Sequence, residues 1–217
     1  MSSGLDSAAV LETLEAADRI LVQQVFRPIG NEYRIGVPAP GSTEEGTPLL
    51  FVKQKKLKVK EDIRFRLDPD RDAHLFMIKA KTVFEFRGRF AVTDANDTVL
   101  GSIEKSFAKS LIRTHWVVRG PDGEELFTSQ EDSLVIALIR RFIELVPYLG
   151  TVGFLLQWIP FNFSLDRGGT QIGSYQRVLG KLRDRYVLEL TDAHDARAVD
   201  RRLLVAFAVA LDALQDR

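Results

Sequence analysis

A run of basic residues carries the strongest chemical signal in this sequence. From Val52 to Leu67 it reads V-K-Q-K-K-L-K-V-K-E-D-I-R-F-R-L. Side chains of an extended strand point alternately to its two faces. An extended chain would place five cations on one face: Lys56, Lys58, Lys60, Arg64 and Arg66. The other face would carry five apolar side chains: Leu57, Val59, Ile63, Phe65 and Leu67. A bend at Glu61-Asp62 would break this alternation.

Five cations on one short face have two interpretations. They could attract phosphates or an anionic membrane surface, where each basic side chain contributes about 1 kcal/mol. They could also form the solvated outer face of a barrel, rich in lysine to discourage pairing at strand edges. We predict anionic phospholipid headgroups or the membrane surface as the ligand. Nucleic acid is not expected as a partner, because strands that bind single strands expose aromatic side chains between the cations. Here we expect the aromatic side chains to point inward: Phe51, Phe65, Phe84, Phe86 and Phe90.

The sequence gives no positive signal for catalysis. His74, His115 and His194 lie far apart, and His194 belongs to a polar stretch, T-D-A-H-D-A-R, typical of a loop. No G-x-S-x-G elbow is present for a serine nucleophile. Asp68, Asp70 and Asp72 alternate as calcium ligands can, but the glycine and glutamate of a calcium loop are missing, so a turn is expected. We therefore predict no enzyme, no catalytic residues, no metal and no cofactor.

Composition limits the compartment and the charge distribution. The 217 residues include no cysteine, which excludes disulfides and thiolate metal sites. The formal net charge is zero, but residues 51–115 hold fifteen Lys or Arg against nine Asp or Glu. Such an asymmetry indicates which surface meets an anionic partner. The N-terminal residues lack a basic start followed by an apolar run, so we expect a cytoplasmic protein, peripheral to the inner face of the membrane if it binds lipid.

The spacing of strand and turn signals predicts one domain over residues 1–217, mainly β with added helices. A short N-terminal helix is predicted within 5–18. Short strands separated by turn residues follow from 20 to 190 and favour an antiparallel sandwich or barrel. A helical insertion at 133–149, with its helix over 133–146, interrupts them, and a loop over 191–198 leads to a closing helix at 199–215.

The closing helix is predicted to be enclosed by protein. Leu203 to Leu211 is nine apolar residues without a break, so no side of the helix is suited to water. Nine helical residues span about 14 Å, roughly half of the hydrocarbon core of a bilayer. The segment is therefore too short to cross a membrane and must be covered by the rest of the chain.

A second apolar block supports a different hypothesis of function. Residues 134–161 join the predicted helix of the insertion to the apolar stretch after Pro147. This block could meet a protein partner or a second copy of the chain, so that the protein would be a cytosolic scaffold. The sequence leaves open whether the block is core, interface or membrane-facing.

Three stretches of the sequence resemble the LURP-one-related family. They are L-L-F-V-K-Q-K-K-L-K-V-K-E-D-I-R-F, then L-F-M-I-K-A-K-T-V-F-E-F-R-G-R-F-A-V-T-D-A-N-D, then V-L-G-S-I-E-K-S-F. That family shares its fold with the tubby C-terminal domain and resembles the phospholipid scramblases. The resemblance covers roughly residues 20 to 215, with a divergent stretch around 133–160.

The resemblance implies a closed antiparallel barrel of about twelve strands around a hydrophobic C-terminal helix. It also implies binding of anionic lipids, since tubby-like domains bind phosphoinositides through basic residues and scramblases move lipids with calcium. Only Asp184 and Asp200 fall where the scramblase calcium segment has acidic residues, so calcium binding is not predicted. The palmitoylated cysteines of scramblases have no counterpart in this chain.

Overall fold

A computed structural model defines the fold. It describes residues 6–27, 30–44, 46, 48–55, 62–79, 89–106, 115–131, 162–178, 185–191 and 194–213. Within these ranges the chain forms twelve strands and three helices. The helices are α1 (Ser7–Glu15), α2 (His194–Arg197) and α3 (Arg201–Ala213). The strands are β1 (Arg19–Arg27), β2 (Gly30–Gly36), β3 (Pro48–Lys55), β4 (Ile63–Arg66), β5 (Phe76–Ile78), β6 (Arg89–Asp94), β7 (Val99–Lys105), β8 (His115–Arg119), β9 (Glu125–Glu131), β10 (Asn162–Arg167), β11 (Thr170–Arg177) and β12 (Arg185–Leu190).

The twelve strands form one closed antiparallel barrel. Each strand pairs with its neighbours in sequence, and β1 closes the ring by pairing with β12, with Leu21 opposite Val187. Closure leaves no free sheet edge within the described strands. The predicted mainly β fold, a closed antiparallel barrel of about twelve strands, is confirmed.

Local sequence explains where several of these elements begin and turn. Asp6 is the N-cap of α1, and its carboxylate accepts a 3.2 Å hydrogen bond from the backbone N–H of Ala8. The hairpin between β10 and β11 turns at Gly168 and Gly169, whose φ angles of 57° and 86° suit residues without a Cβ. The glycine pair therefore sets the turn of this hairpin.

Helix α3 is the core of the barrel. Eleven of its thirteen residues are buried, including every residue from Leu203 to Leu211. The ring of Phe207 meets that of Phe127 on β9 edge to face, with centroids 5.3 Å apart. On β7, a Cβ at Gly101 would lie only 3.1 Å from the methyl groups of Leu203, so the helix passes close to this strand. The prediction that protein surrounds the closing helix is confirmed.

Other boundaries differ from the predictions. The stretch over 191–198, predicted as a loop, contains the single helical turn of α2, too short for its four residues to show a periodic pattern. The predicted helix at 133–146 lies outside the described residues. Among the helices that the structure describes, none is long and apolar enough to cross a membrane.

Candidate anion-binding face

The four residues of β4 alternate between the inside and the outside of the barrel. Ile63 and Phe65 are buried in the core, and Phe65 stacks on Phe76 of β5 with ring centroids 4.2 Å apart. Arg64 and Arg66 are half-buried and point to the outer face. The period-two alternation predicted for this part of the basic run is therefore present in β4.

The other three cations of the predicted site cannot be placed on this face. Lys56, Lys58 and Lys60 lie outside the described residues, in the connection between β3 and β4. Their participation in one basic face with Arg64 and Arg66 stays a prediction.

The side chain of Phe51 points in the direction opposite to the one expected. Its neighbours Leu50 and Val52 on β3 are buried in the core, so Phe51 points outward, where it is half-buried. It was expected to point inward, because the four apolar residues L-L-F-V allow either register of alternation. The structure thus places an aromatic ring among the outward cations, whereas Phe65 points inward as expected.

The strand register places several outward side chains of this face in one row that continues onto neighbouring strands. Phe51 is opposite both Arg66 on β4 and Arg34 on β2. Arg34 is in turn opposite Gln23 on β1, and Gln23 is opposite Arg185 on β12. The outer row, as we call it, therefore crosses five neighbouring strands in this order: Arg66, Phe51, Arg34, Gln23, Arg185. Its arginines lie on alternate strands, about 10 Å apart at the backbone.

Acidic residues of the 67–75 connection partly neutralise the basic face. Lys53 lies 3.4 Å from a carboxylate oxygen of Asp70, and Arg66 lies 3.2 Å from one of Asp72. The side chains of Asp70 and Asp72 are 88% and 90% exposed. Because both carboxylates stay in contact with water, we expect each pair to contribute about 1 kcal/mol or less. An anionic ligand could therefore replace them at little cost.

The turn that supplies these acids is the one predicted from the alternating aspartates. The Asp68 carboxylate accepts a 2.8 Å hydrogen bond from the backbone N–H of Asp70, as in an Asx turn. A 3.3 Å ion pair also joins Asp68 to Arg71. Across the described ranges, no group of three His, Cys, Asp or Glu side chains is placed to hold a metal ion.

A buried arginine holds the N-terminal end of the central helix. At the N-terminal end of α3, Arg201 is 2% exposed and donates to the carbonyl oxygens of Ala17, Ala196 and Val199 at 3.2, 2.7 and 3.3 Å. Burial lowers the pKa of Arg201, and the nearby Glu15 opposes that shift. Three carbonyl acceptors explain why a guanidinium is tolerated in the core.

A second charged group organises the same end of the barrel. The carboxylate of Asp94, at the end of β6, accepts 2.8 Å hydrogen bonds from the backbone N–H groups of Thr98 and Asn96. The bond from Thr98 is the main cause that holds the pKa of Asp94 below its ordinary value of 3.8. Arg202 forms a 2.6 Å ion pair with Asp200, and this hydrogen bond raises the pKa of Arg202.

The histidines do not form a common site in the described structure. His115 begins β8 and is buried at 8% exposure, opposite Gln130 of β9. His74 is half-buried in the connection before β5, and His194 begins α2. These three positions belong to different elements, so the geometry gives them no shared chemistry. The apolar block at 134–161, proposed as an interface, lies outside the described residues.

Comparison with known proteins identifies the family. The sequence model of the LURP-one-related family matches residues 49–212. The chain belongs to the LURP-one-related family. The closed barrel around a buried helix is the tubby-like fold expected for this family, and the scramblase-like superfamily placement is consistent with it. A search of curated proteins finds no match to the chain.

The family model and the outer row overlap only in part. The matched residues begin at 49, so they include Phe51, Arg66 and Arg185 but neither Gln23 nor Arg34. Strands β1 and β2 are nevertheless integral to the ring, because β1 closes it against β12. The barrel of this LURP-one-related protein therefore extends beyond the matched range to residue 19.

Proposed function

We propose that this protein is a non-enzymatic tubby-like barrel that binds anionic phospholipid headgroups at a membrane surface. The binding face is the outer side of β2, β3 and β4, and the protein lies peripherally on the membrane. Neither chemical turnover nor a cofactor is part of this proposal. Lysines 56, 58 and 60 extend the same face if the connection between β3 and β4 continues its alternation.

One observation carries the proposal: Phe51 points outward between Arg34 and Arg66. Guanidinium groups bind phosphate oxygens bidentately, and an aromatic ring that points outward beside them is suited to the boundary between headgroups and acyl chains. Arg64 and Lys53 add two further outward cations to the same wall of the barrel. The combination supports contact with a lipid surface more than a merely solvated face.

The position of α3 supports the outer face over the barrel interior. The helix contacts residues of β2, β7, β9 and β12, which are distributed around the ring. The interior is thus occupied by the chain itself along the length of the helix. A ligand as large as a phospholipid headgroup is therefore expected to meet the outer wall.

Co-sedimentation of the full chain with vesicles tests the proposal. Phosphatidylcholine vesicles, with and without phosphatidylserine or a phosphoinositide, are compared at low and high salt. We expect binding only to the anionic vesicles, and weaker binding at high salt because salt screens exposed charges. Arg64→Glu removes one attraction and adds one repulsion, so it should weaken binding by about 2 kcal/mol, roughly 30-fold.

Matched variants make the test specific to this face. Arg167→Glu makes the same charge change on β10, six strands away on the opposite wall, and should leave vesicle binding nearly unchanged. Asp72→Asn releases Arg66 and should strengthen binding. No binding to anionic vesicles at low salt, or equal losses for Arg64→Glu and Arg167→Glu, would refute the proposal.

A further inference from the structure

Gln23 is a buried polar side chain on the outer face of the barrel. Its neighbours Ile20 and Val22 are in the core, so the alternation of β1 turns Gln23 outward, away from α3. Gln23 is nevertheless 0% exposed, and neither its amide nitrogen nor its amide oxygen has a hydrogen-bond partner within the described structure. A buried amide without partners costs about 1–3 kcal/mol and therefore requires an explanation.

Two guanidinium groups flank this amide. Arg34 on β2 and Arg185 on β12 are both directly opposite Gln23 in the strand register. Side chains directly opposite on one face have Cβ atoms about 5 Å apart. The Cβ atom of Gln23 therefore lies between those of two arginines in the outer row.

A loop segment covers Arg185 from the outside. Residues 37–44, which we call the strap, follow β2, and Arg185 donates to the Thr43 carbonyl oxygen at 3.2 Å. The same guanidinium nitrogen lies 3.0 Å from a carboxylate oxygen of Glu44. The Nε atom of Arg185 is buried and has no hydrogen-bond partner in the part of the chain that the structure describes.

We propose that Gln23 and Arg185 form a pocket for a single phosphate group, and that the Glu44 carboxylate occupies part of this pocket until a phosphate displaces it. A phosphate offers oxygens both to the Arg185 guanidinium and to the Gln23 amide N–H groups. The Glu44 side chain is 62% exposed, whereas that of Arg185 is 14% exposed. The carboxylate can therefore move into water while the guanidinium stays in place.

Two guanidinium groups beside one amide favour an anion over a cation. Arg34 and Arg185 are both opposite Gln23 in the strand register. A phosphate has enough oxygens to accept hydrogen bonds from a guanidinium and from the amide N–H groups together. The phosphate could belong to a soluble phosphomonoester or to a lipid such as phosphatidic acid.

This pocket is independent of the proposed lipid face. It lies over β1 and β12, and of its residues only Arg34 also belongs to the face on β2, β3 and β4. Arg64→Glu should therefore weaken vesicle binding about 30-fold without changing the affinity for inorganic phosphate. Failure of the vesicle experiment alone would leave the phosphate pocket intact, and the reverse also holds.

The first test is calorimetric titration of the full chain with inorganic phosphate. We expect saturable binding that weakens at least tenfold in Gln23→Leu and in Arg185→Lys, because each loses a directed donor. Glu44→Gln removes the competing charge and should bind phosphate about tenfold more tightly. Gln176→Leu is the control, since Gln176 is an exposed amide on β11 and its loss should not affect binding.

Two results would contradict the proposed pocket. The first is that Gln23→Leu folds, judged by its urea midpoint, and binds phosphate as tightly as the unaltered chain. The second is that Glu44→Gln binds no phosphate; this result would decide the question even if Gln23→Leu fails to fold. Competition then assigns the source: phosphatidic acid vesicles that displace inorganic phosphate indicate a lipid headgroup, and vesicles that do not displace it indicate a soluble phosphomonoester.

Discussion

The hydroxyl of Tyr33 on β2 donates a 2.6 Å hydrogen bond to the carboxylate of Asp212 in the last turn of α3. Tyr186 of β12 donates to the other oxygen of the same carboxylate at 3.2 Å. At the opposite end, Arg201 donates to carbonyl groups of the segments that precede β1 and α3, so polar contacts hold both ends of the helix. Buried polar groups with satisfied partners specify a single arrangement of a core. The apolar surface of α3 alone would fix its position along the barrel less strictly.

Removing the Tyr33 hydroxyl should destabilise the barrel. Tyr33→Phe keeps the ring, which is 1% exposed, and removes a short hydrogen bond to a charged group. Such bonds contribute about 1.5–3 kcal/mol, so the free energy of unfolding should fall by about 2 kcal/mol. Tyr186→Phe removes a longer bond to the same carboxylate and should cost less. Urea denaturation measures both, and equal or absent losses would contradict the anchoring role of Tyr33.

Arg201 should be required for stability because of its carbonyl partners. Arg201→Met keeps an apolar side chain of similar length but leaves the carbonyl groups of Ala17, Ala196 and Val199 without this donor. The free energy of unfolding should fall by about 3 kcal/mol or more. Arg71→Met is the control, because its side chain is 72% exposed and should matter by less than about 0.5 kcal/mol. Similar urea midpoints for the two variants would show that Arg201 is not a structural anchor.

The turn at Asp94 should make stability depend on acid pH. The folded state holds the pKa of Asp94 below 3.8, so the stabilisation is complete above the unfolded pKa and is lost as pH falls through the folded pKa. Asp94→Asn keeps an oxygen acceptor but cannot titrate, so its urea midpoint should fall less between about pH 5 and pH 2 than that of the unaltered chain. Asp122→Asn, at an exposed position of the turn between β8 and β9, is the control. An unchanged pH profile in Asp94→Asn would contradict the assignment.

The sequence predicted most of the fold because the decisive signals are local. The apolar run of α3 is too short to cross a membrane, so it has to be buried within the protein. The alternation of β4 follows from I-R-F-R. Phe51 was assigned to the wrong face because L-L-F-V is apolar at every position, so the pattern sets no register. Only the packing of Leu50 and Val52 against the core decides it.

The outer row could not be derived from the sequence for a different reason. Gln23 and Arg185 are far apart in the chain and meet only because the first and last strands close the ring. No periodic pattern encodes a register between strands so distant in sequence. The signal that was available lies in β2, where inward Tyr33 and Ile35 require an outward Arg34.

The central claim is that barrel walls enclose α3 on every side. Ala208, in the middle of the helix, is 0% exposed, whereas Ala198, three residues before the helix begins, is exposed. We predict that Ala208→Arg leaves no folded barrel by circular dichroism and urea denaturation, because an unpaired charge in the core costs several kcal/mol. Ala198→Arg should unfold at the same urea concentration as the unaltered chain. A folded Ala208→Arg protein with an unchanged midpoint would contradict the claim.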